Sequence, residues 1–444
     1  MFNQLTLKKI LTSISLGKSQ ATRYVVAYSG GMDSTALLYA LSRIESDIPI
    51  IAIHINHGIN KDSDIWENHC RENALSYGVK FESFKIDLNY KSNKESEAVL
   101  RESRYKIFKN FVIKGDWLLT AHHQSDQTET LMLNLFRGSG ISGLAAINTS
   151  RKFFLGTLVR PLLEISRTYI KEYAVENDLS WLDDPSNNNN NFDRNYLRNE
   201  IIPQLEDRWP SLDKRFTKVT KFAYEAKLSL EELAEIDLEN VGTVDCYNIE
   251  LFKCLSEIRQ RNLIRYSLNE MNLPSPPFNQ LMEATKIVAN YNIDSHPLIS
   301  WRGAKIRCYR NFLYLLPELS LNNDLKGKKY FPHNDSLPLG ANMGQISLHL
   351  SQKIGIDPDI AELGLEINFR NGGENICPID SNYDRKLKRL FQEKKIFPWL
   401  RDKIPLFLYD GEVVCVGDLW TAEKFSKENG YIFEWDQRPR LIQP

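Results

Sequence analysis

The chain has no CxxC pair, no apolar run of about 18 residues and no excess of one charge, and each absence removes a class of protein. Its six cysteines, Cys70, Cys246, Cys254, Cys308, Cys377 and Cys415, are scattered over 444 residues. That spacing argues against a zinc ribbon, an iron–sulfur cluster or a secreted disulfide framework, and fits a reduced cytoplasm. Lys8 and Lys9 are followed by no apolar stretch of signal-peptide length, so neither a membrane span nor an export signal is expected. With 56 Lys plus Arg against 57 Asp plus Glu the net charge is −1, so any contact with nucleic acid must come from local basic patches. What remains is ordinary globular composition, 42% hydrophobic and 25% charged, in a length that predicts two to four domains.

Residues 23 to 135 alternate between β-rich apolar runs and helical patterns. The runs are Tyr24 to Ala27, Ile50 to Ile53, Val79 to Ile86 and Trp117 to Leu119; the helical stretches are Ser34 to Ile44, Asp62 to Tyr77 and Glu95 to Val112. Strands separated by helices predict a doubly wound, mostly parallel α/β sheet, in which ligands bind beyond the carboxyl ends of the strands. A long charged amphipathic helix is expected over Phe216 to Glu239, three short β runs over 297 to 316, a polar linker from Glu318 to Lys329, and a basic helix from Arg385 to Lys395. The division drawn from this pattern is a catalytic domain over 1–212, a helical linker and middle domain over 213–317, and a C-terminal domain over 330–444, the last two smaller and of mixed α/β type.

The first strand is followed by Ser29-Gly30-Gly31-Met32-Asp33-Ser34. Paired glycines let the backbone approach an anion, and successive N–H groups with the helix N-terminus form a phosphate cradle to which Ser29 and Ser34 add hydroxyls. The spacing is neither GxxxxGK[ST] nor GxGxxG. Taken alone it is equally a glycine turn with Asp33 or Ser34 capping a helix. In its position the segment resembles the pyrophosphate loop of the N-type ATP pyrophosphatases. The resemblance implies that Ser29, Gly30, Gly31, Met32, Asp33 and Ser34 bind ATP, with Asp33 near magnesium or the reacting groups.

Further stretches narrow the resemblance. His54-Ile55-Asn56-His57-Gly58, the helical segment from Glu97 through Arg101 and Arg104 to Tyr105, and Thr120-Ala121-His122-His123-Gln124-Ser125-Asp126-Gln127-Thr128-Glu129-Thr130 stand in that order. They are followed by Arg160-Pro161-Leu162-Leu163, Asp184-Pro185-Ser186-Asn187, Arg194-Asn195-Tyr196-Leu197-Arg198, Gly372-Gly373-Glu374, the Lys386 to Glu393 run, Pro398-Trp399 and Gly417-Asp418-Leu419-Trp420. The set is similar to the tRNA(Ile)-lysidine synthetase family over nearly the whole chain. One departure stands out, Ser125 where that family usually has the first of two aspartates, which leaves Asp126 and Glu129 as the acidic pair. Three residues apart at a helix start, these two share a face and suit magnesium, an attacking amine or a substrate ammonium, although acidic residues also favour helix N-termini for no catalytic reason.

The resemblance implies ATP-dependent activation of the wobble cytidine of the CAU-anticodon tRNA(Ile), attack by free L-lysine at carbon 2, and release of AMP and pyrophosphate. It makes Asp33, Asp126, Glu129, Arg101 and Arg194 the catalytic set, with the two arginines stabilising the triphosphate and the adenylated intermediate. His54 is assigned to the nucleotide, and His57, His122 and His123 to nucleotide or substrate contacts; His122 and His123, being adjacent on an extended segment, face opposite ways and cannot comfortably share one metal ion. Between Ser381 and Lys403 eight cations outnumber three acids, and this segment is the expected phosphate-contact surface. A cytoplasmic ligase is expected, with a homodimer allowed for. The runner-up is another enzyme of the superfamily, such as a tRNA thiolase.

Overall fold

The computed structural model describes residues 1–16, 20–56, 58, 63–86, 97–184, 189–293, 295–381 and 383–442, with the side chains of 97–100 left aside. His57 and the Pro185-Ser186-Asn187 part of the turn motif lie outside the described residues. The chain forms two compact units, Met1–Glu231 and Glu232–Pro444.

The first unit is built as α1 (Gln4–Ser15), β1 (Arg23–Ala27), α2 (Met32–Ser42), β2 (Ile50–Asn56), α3 (Ser63–Ser76), β3 (Lys80–Lys85), α4 (Glu97–Phe111), β4 (Asp116–Leu119), α5 (Gln124–Phe136), α6 (Ile141–Leu144), β5 (Ser150–Phe153), β6 (Gly156–Val159), α7 (Arg167–Glu176), α8 (Asp193–Tyr196), a π-helical turn (Leu197–Ile201) and α9 (Ile202–Arg208). The sheet order is β3-β2-β1-β4-β6-β5, with only β5 antiparallel to its neighbour. Successive strand residues enter different cores, as a buried pleat requires. Val26, Ala52, Trp117, Leu119 and Val159 pack with residues of α1, α2, α3 and α7 on one face. Val25, Ile51, Ile53, Leu118 and Leu158 pack with Phe108 of α4 on the other. The sheet is therefore doubly wound, and the chain runs outward from β1 to β3 before returning to place β4 on the other side of β1. That reversal opens a crevice beyond the carboxyl ends of β1 and β4.

α10 (Leu212–Val241) begins four residues earlier than the sequence pattern suggests, and the boundary of the two units falls within it. In the second unit β7 (Gly242–Thr243), β8 (Cys246–Asn248), β9 (Leu298–Trp301), β10 (Ala304–Tyr309) and β11 (Phe312–Pro317) form an antiparallel sheet beside α11 (Ile249–Lys253), α12 (Glu257–Glu270) and α13 (Phe278–Ala289). Between Lys329 and Asp436 the chain forms two five-stranded antiparallel sheets around one core, which Cys246 and Tyr314 of the middle block also enter. The polar stretch read as a linker is packed rather than loose. Leu319 and Leu325 are buried, and the N–H groups of Ser320, Asn322 and Gly327 donate to Ala341, Leu339 and Ile367 carbonyls. The expected basic helix is shorter, Leu387–Glu393, because Arg385 and Lys386 pair in a strand with Ile376 and Asn375. Among the described residues no helix is long and apolar enough to cross a membrane.

Candidate active site

The glycine loop follows β1 directly. Gly30 sits at φ +84°, the left-handed region, and a Cβ there would stand 2.6 Å from the Cys70 sulfur, so both backbone and space demand glycine. Gly31 caps α2 without a side-chain bond, leaving the first N–H groups of the helix available. Ser29 and Ser34 hydroxyls lie 3.0 Å apart, and Ser34 also donates to the Gly31 carbonyl. The Leu182 N–H donates to the Gly30 carbonyl at 3.0 Å, pinning the loop from the far side. Met32 is buried in the core, so its backbone alone faces the cradle. His54 is buried beneath the loop with Nδ1 3.0 Å from the Tyr28 carbonyl. A carbonyl only accepts, so Nδ1 carries the proton and Nε2 is the acceptor; burial holds this imidazole below its usual range.

Asp33, in the first turn of α2, is one of three acidic groups at the crevice. His123 Nε2 stands 3.7 Å from Asp33 Oδ2 and 3.6 Å from Asp126 Oδ2, so one buried ring spans both carboxylates. Asp33 Oδ1 and His123 Nδ1 are buried without a hydrogen-bond partner among the described residues. Burial pushes the Asp33 carboxyl up, against the pull of His123 and of Arg167, whose Nε is 3.9 Å away. Asp126 is the opposite case. Burial would raise it, but His123, His122 and Arg194 together with the His123 N–H, which donates to Oδ2 at 2.8 Å, hold it at about 2.

Glu129, one turn further along α5, is wholly buried. It accepts from Arg194 Nε at 2.6 Å and from Arg198 Nε and Nη2 at 2.6 and 2.9 Å, while Arg194 Nη2 donates to Asp126 at 2.7 Å. Both arginines come from the segment 193–201, where α8 passes into the π-helical turn. Such a turn widens the helix by one residue, and this one carries Arg198 directly after the α8 turn that carries Arg194, so both guanidinium groups reach Glu129. His122 has Nδ1 2.8 Å from the Thr120 hydroxyl. Burial, reinforced by Arg160, Arg194 and Arg101 against Asp126, holds His122 at about 4, so it is neutral at pH 7. Arg101 is exposed, its guanidinium 5.7 Å from the Tyr105 ring centre.

The fold thus brings Asp33, Asp126, Glu129 and Arg194 into one hydrogen-bonded or ion-paired group beside the glycine loop, with Arg101 at its edge by way of His122. Arg198 and Arg160, which stood in the quoted motifs without a catalytic role, and Arg167, which stood in none, join them. For Arg198 a signal existed, since it lies one helical turn after Arg194. For Arg167 there was none. Ser125, the departure from the family pattern, donates to Asp213 at 2.6 Å.

In the second unit, Arg385 and Arg389 of the basic segment both pair with Glu393, at 2.5 and 3.1 Å, and Arg401 donates twice to the Ile396 carbonyl. Lys386, Lys388, Lys394 and Lys395 are exposed, Lys394 lying over the Trp420 ring.

Comparison with known proteins agrees with this layout. A PP-loop domain matches residues 3–205, a TilS substrate binding domain matches 248–314, and a TilS substrate C-terminal domain matches 365–435. Over 423 residues the chain is 36% identical to the tRNA(Ile)-lysidine synthase of Methylococcus capsulatus, covering 94% of this chain and 96% of that one. It is 34% identical over 441 residues to the tRNA(Ile)-lysidine synthase of Coxiella burnetii, covering 99% and 97%. Among solved structures, the U34-tRNA thiolase NcsA from Methanococcus maripaludis aligns with half of this chain and 79% of its own at 20% identity and a TM-score of 0.42.

Proposed function

The chain belongs to the tRNA(Ile)-lysidine synthase family, and from that premise we propose that it joins free L-lysine to carbon 2 of the wobble cytidine in the CAU-anticodon tRNA(Ile). In the first half, cytosine O2 attacks the α-phosphorus of ATP, pyrophosphate leaves, and an adenylated cytidine forms. In the second, the lysine ε-amine attacks carbon 2, the C–O bond to AMP breaks, and the amine gives up its protons. The observation that carries this reading is the cluster just described: an anion cradle opening beside a histidine-bridged carboxylate pair and a guanidinium pair, at the switch point of a parallel sheet.

The roles divide by electrostatics. The Ser29–Ser34 loop and the α2 N-terminus hold phosphate oxygens through backbone N–H groups and two hydroxyls. Arg194, Arg198 and Arg101 supply positive charge where the phosphates gain negative charge, and Glu129 fixes the first two in place. Asp33, part-exposed with one buried oxygen unpartnered among the described residues, fits magnesium, which takes one or two carboxylates together with substrate phosphates. When bound, that ion would neutralise charge on the leaving pyrophosphate. Asp126, held ionised, grips the lysine ammonium, but a carboxylate at about 2 is a poor base. Asp33, pushed the other way, is the better proton acceptor once pyrophosphate has left.

The division into a catalytic domain over 1–212, a middle domain and a C-terminal tRNA-binding domain is part of the same reading, as is a cytoplasmic setting. Every catalytic group named comes from one copy of the chain; whether two copies associate is a matter for sedimentation. The thiolase alternative has less support, because Cys70, the one cysteine before residue 246, is buried with its thiol pushed up to about 12. The test is to incubate protein, ATP, labelled lysine and tRNA(Ile) transcript, digest the RNA and locate the label. Lysine on the wobble cytidine supports the reading. Label elsewhere, or none, ends it.

A further inference from the structure

We infer that Asp213, in the first turn of α10, is a positioning residue for the reaction: by holding Ser125 and Thr128 it fixes the rotation of the first turn of α5 and so the aim of Asp126 and Glu129. The carboxylate of Asp213 accepts from the Ser125 hydroxyl at 2.6 Å on one oxygen and from the Thr128 hydroxyl at 2.5 Å on the other. Along α5 these hydroxyls alternate with the two acids, Ser125-Asp126 and Thr128-Glu129. Residues three apart share a helix face, and adjacent ones are turned by about 100°. One face of the turn is therefore clamped to α10 and the next face to Arg194 and Arg198. A small rotation about the α5 axis would lengthen both sets of bonds together.

The clamp is local and independent of the packing that keeps α10 in place. Leu212 is buried, Glu206 accepts from the Ser211 and Leu212 N–H groups, and Lys221 pairs with Glu164 at 2.7 Å. Removing the Asp213 carboxylate leaves these untouched. The arrangement also explains why a hydroxyl stands at 125. A carboxylate there would face that of Asp213 across hydrogen-bond distance, two like charges with no proton between them.

The inference rests on the proposed function for its kinetic arm, and a second arm is independent of it. In the kinetic arm, Asp213→Ala should lower kcat for lysine attachment about 10- to 100-fold, the scale of a sub-ångström to ångström misplacement, while KM for ATP and tRNA affinity stay within about twofold of wild type. Asp213→Asn, whose amide can accept one hydroxyl and donate to the other, should retain activity within a few-fold. Ser125→Asp should lose activity as Asp213→Ala does, and Ser125→Asp with Asp213→Asn should recover most of it, because the new amide donates to the new carboxylate. In the second arm, amide hydrogen exchange over residues 124–129 should quicken in Asp213→Ala and in Ser125→Asp and slow again in the double variant, whatever reaction the protein performs. A wild-type chain that attaches no lysine fails the proposed function and leaves the exchange arm to judge the clamp. Wild-type kcat in Asp213→Ala, a double variant no better than Ser125→Asp, or unchanged exchange over 124–129 would each overturn the role of Asp213.

Discussion

Asp33 and Asp126 are the same side chain in two environments, and their substitutions should move stability in opposite directions. The Asp126 carboxyl lies at about 2 in the fold, below its unfolded value near 3.9. Its contribution is therefore present above about pH 4 and is lost as the pH falls through 2. Asp126→Asn should lower the melting temperature at pH 7, and the deficit should close as the pH approaches 2. Asp33 is raised, chiefly by burial. Its ionised form is a cost of folding that is absent in acid and appears as the pH rises through its folded value. Asp33→Asn should therefore melt higher than wild type at neutral pH, with the gain vanishing below about pH 4. Both variants should lose two to four orders of magnitude in turnover if the carboxylates act in chemistry. A pair of thermal melts across pH 2.5 to 7.5 checks the signs. Equal shifts in the two variants would show that the environments are not distinct. The trade between stability and function at Asp33 is the expected signature of a catalytic position.

At the scale of elements, the π-helical turn Leu197–Ile201 depends on Glu129 of α5. Two guanidinium groups converge on this one buried carboxylate, and truncating one partner of such a group leaves charges unpaired. Glu129→Gln should destabilise the chain by about 3 kcal/mol or more by that principle, and thermal melting of the full chain measures it. A shift of under one degree would mean that Asp126 alone suffices to hold the arginines. In the second unit, the segment around the helix Leu387–Glu393 carries two kinds of cation. Arg385 and the exposed Arg389 share Glu393 as a partner, whereas Lys388 and Lys395 are exposed lysines. If the segment meets tRNA phosphates, Lys388→Ala with Lys395→Ala should flatten the dependence of log affinity on log salt by about one to two units. Arg385→Ala with Arg389→Ala should change it less, since their charge is partly neutralised within the protein. Equal slopes in wild type and the lysine double variant would mark the helix as a solvated face.

For the whole molecule the central expectation is stoichiometric. AMP and pyrophosphate should appear in equal amounts, in step with lysine attached to RNA, and full turnover should require ATP, lysine and tRNA together. Chromatography of the nucleotide products decides it, and ADP as the product would contradict an attack at the α-phosphorus. Two compact units joined through one long helix suit this division of labour. The first carries every group assigned to the chemistry, and the second carries Lys388 and Lys395 of the basic segment.

The alternation of apolar runs and helical stretches between residues 23 and 135 was enough to specify a parallel sheet with helices on both faces, because a strand buried on both sides must be apolar throughout. Ser29 to Ser34 announced an anion cradle, because the paired glycines at its turn leave the backbone open to an anion. The β5–β6 hairpin was not legible, since an edge pair of four residues each carries too little periodicity. The linker over 318–329 was misjudged because its polar residues mask Leu319 and Leu325, which only packing reveals as anchors. In the site, local sequence placed Asp33, Asp126 and Glu129 near strand ends, but it could not assign them opposite electrostatics, because burial and the nearest cations come from segments far apart in the chain. Arg167 reaches Asp33 across 134 positions of sequence, and Asp213 reaches Ser125 across 88. Charge–charge energies depend on distance and dielectric, and both are properties of the tertiary structure.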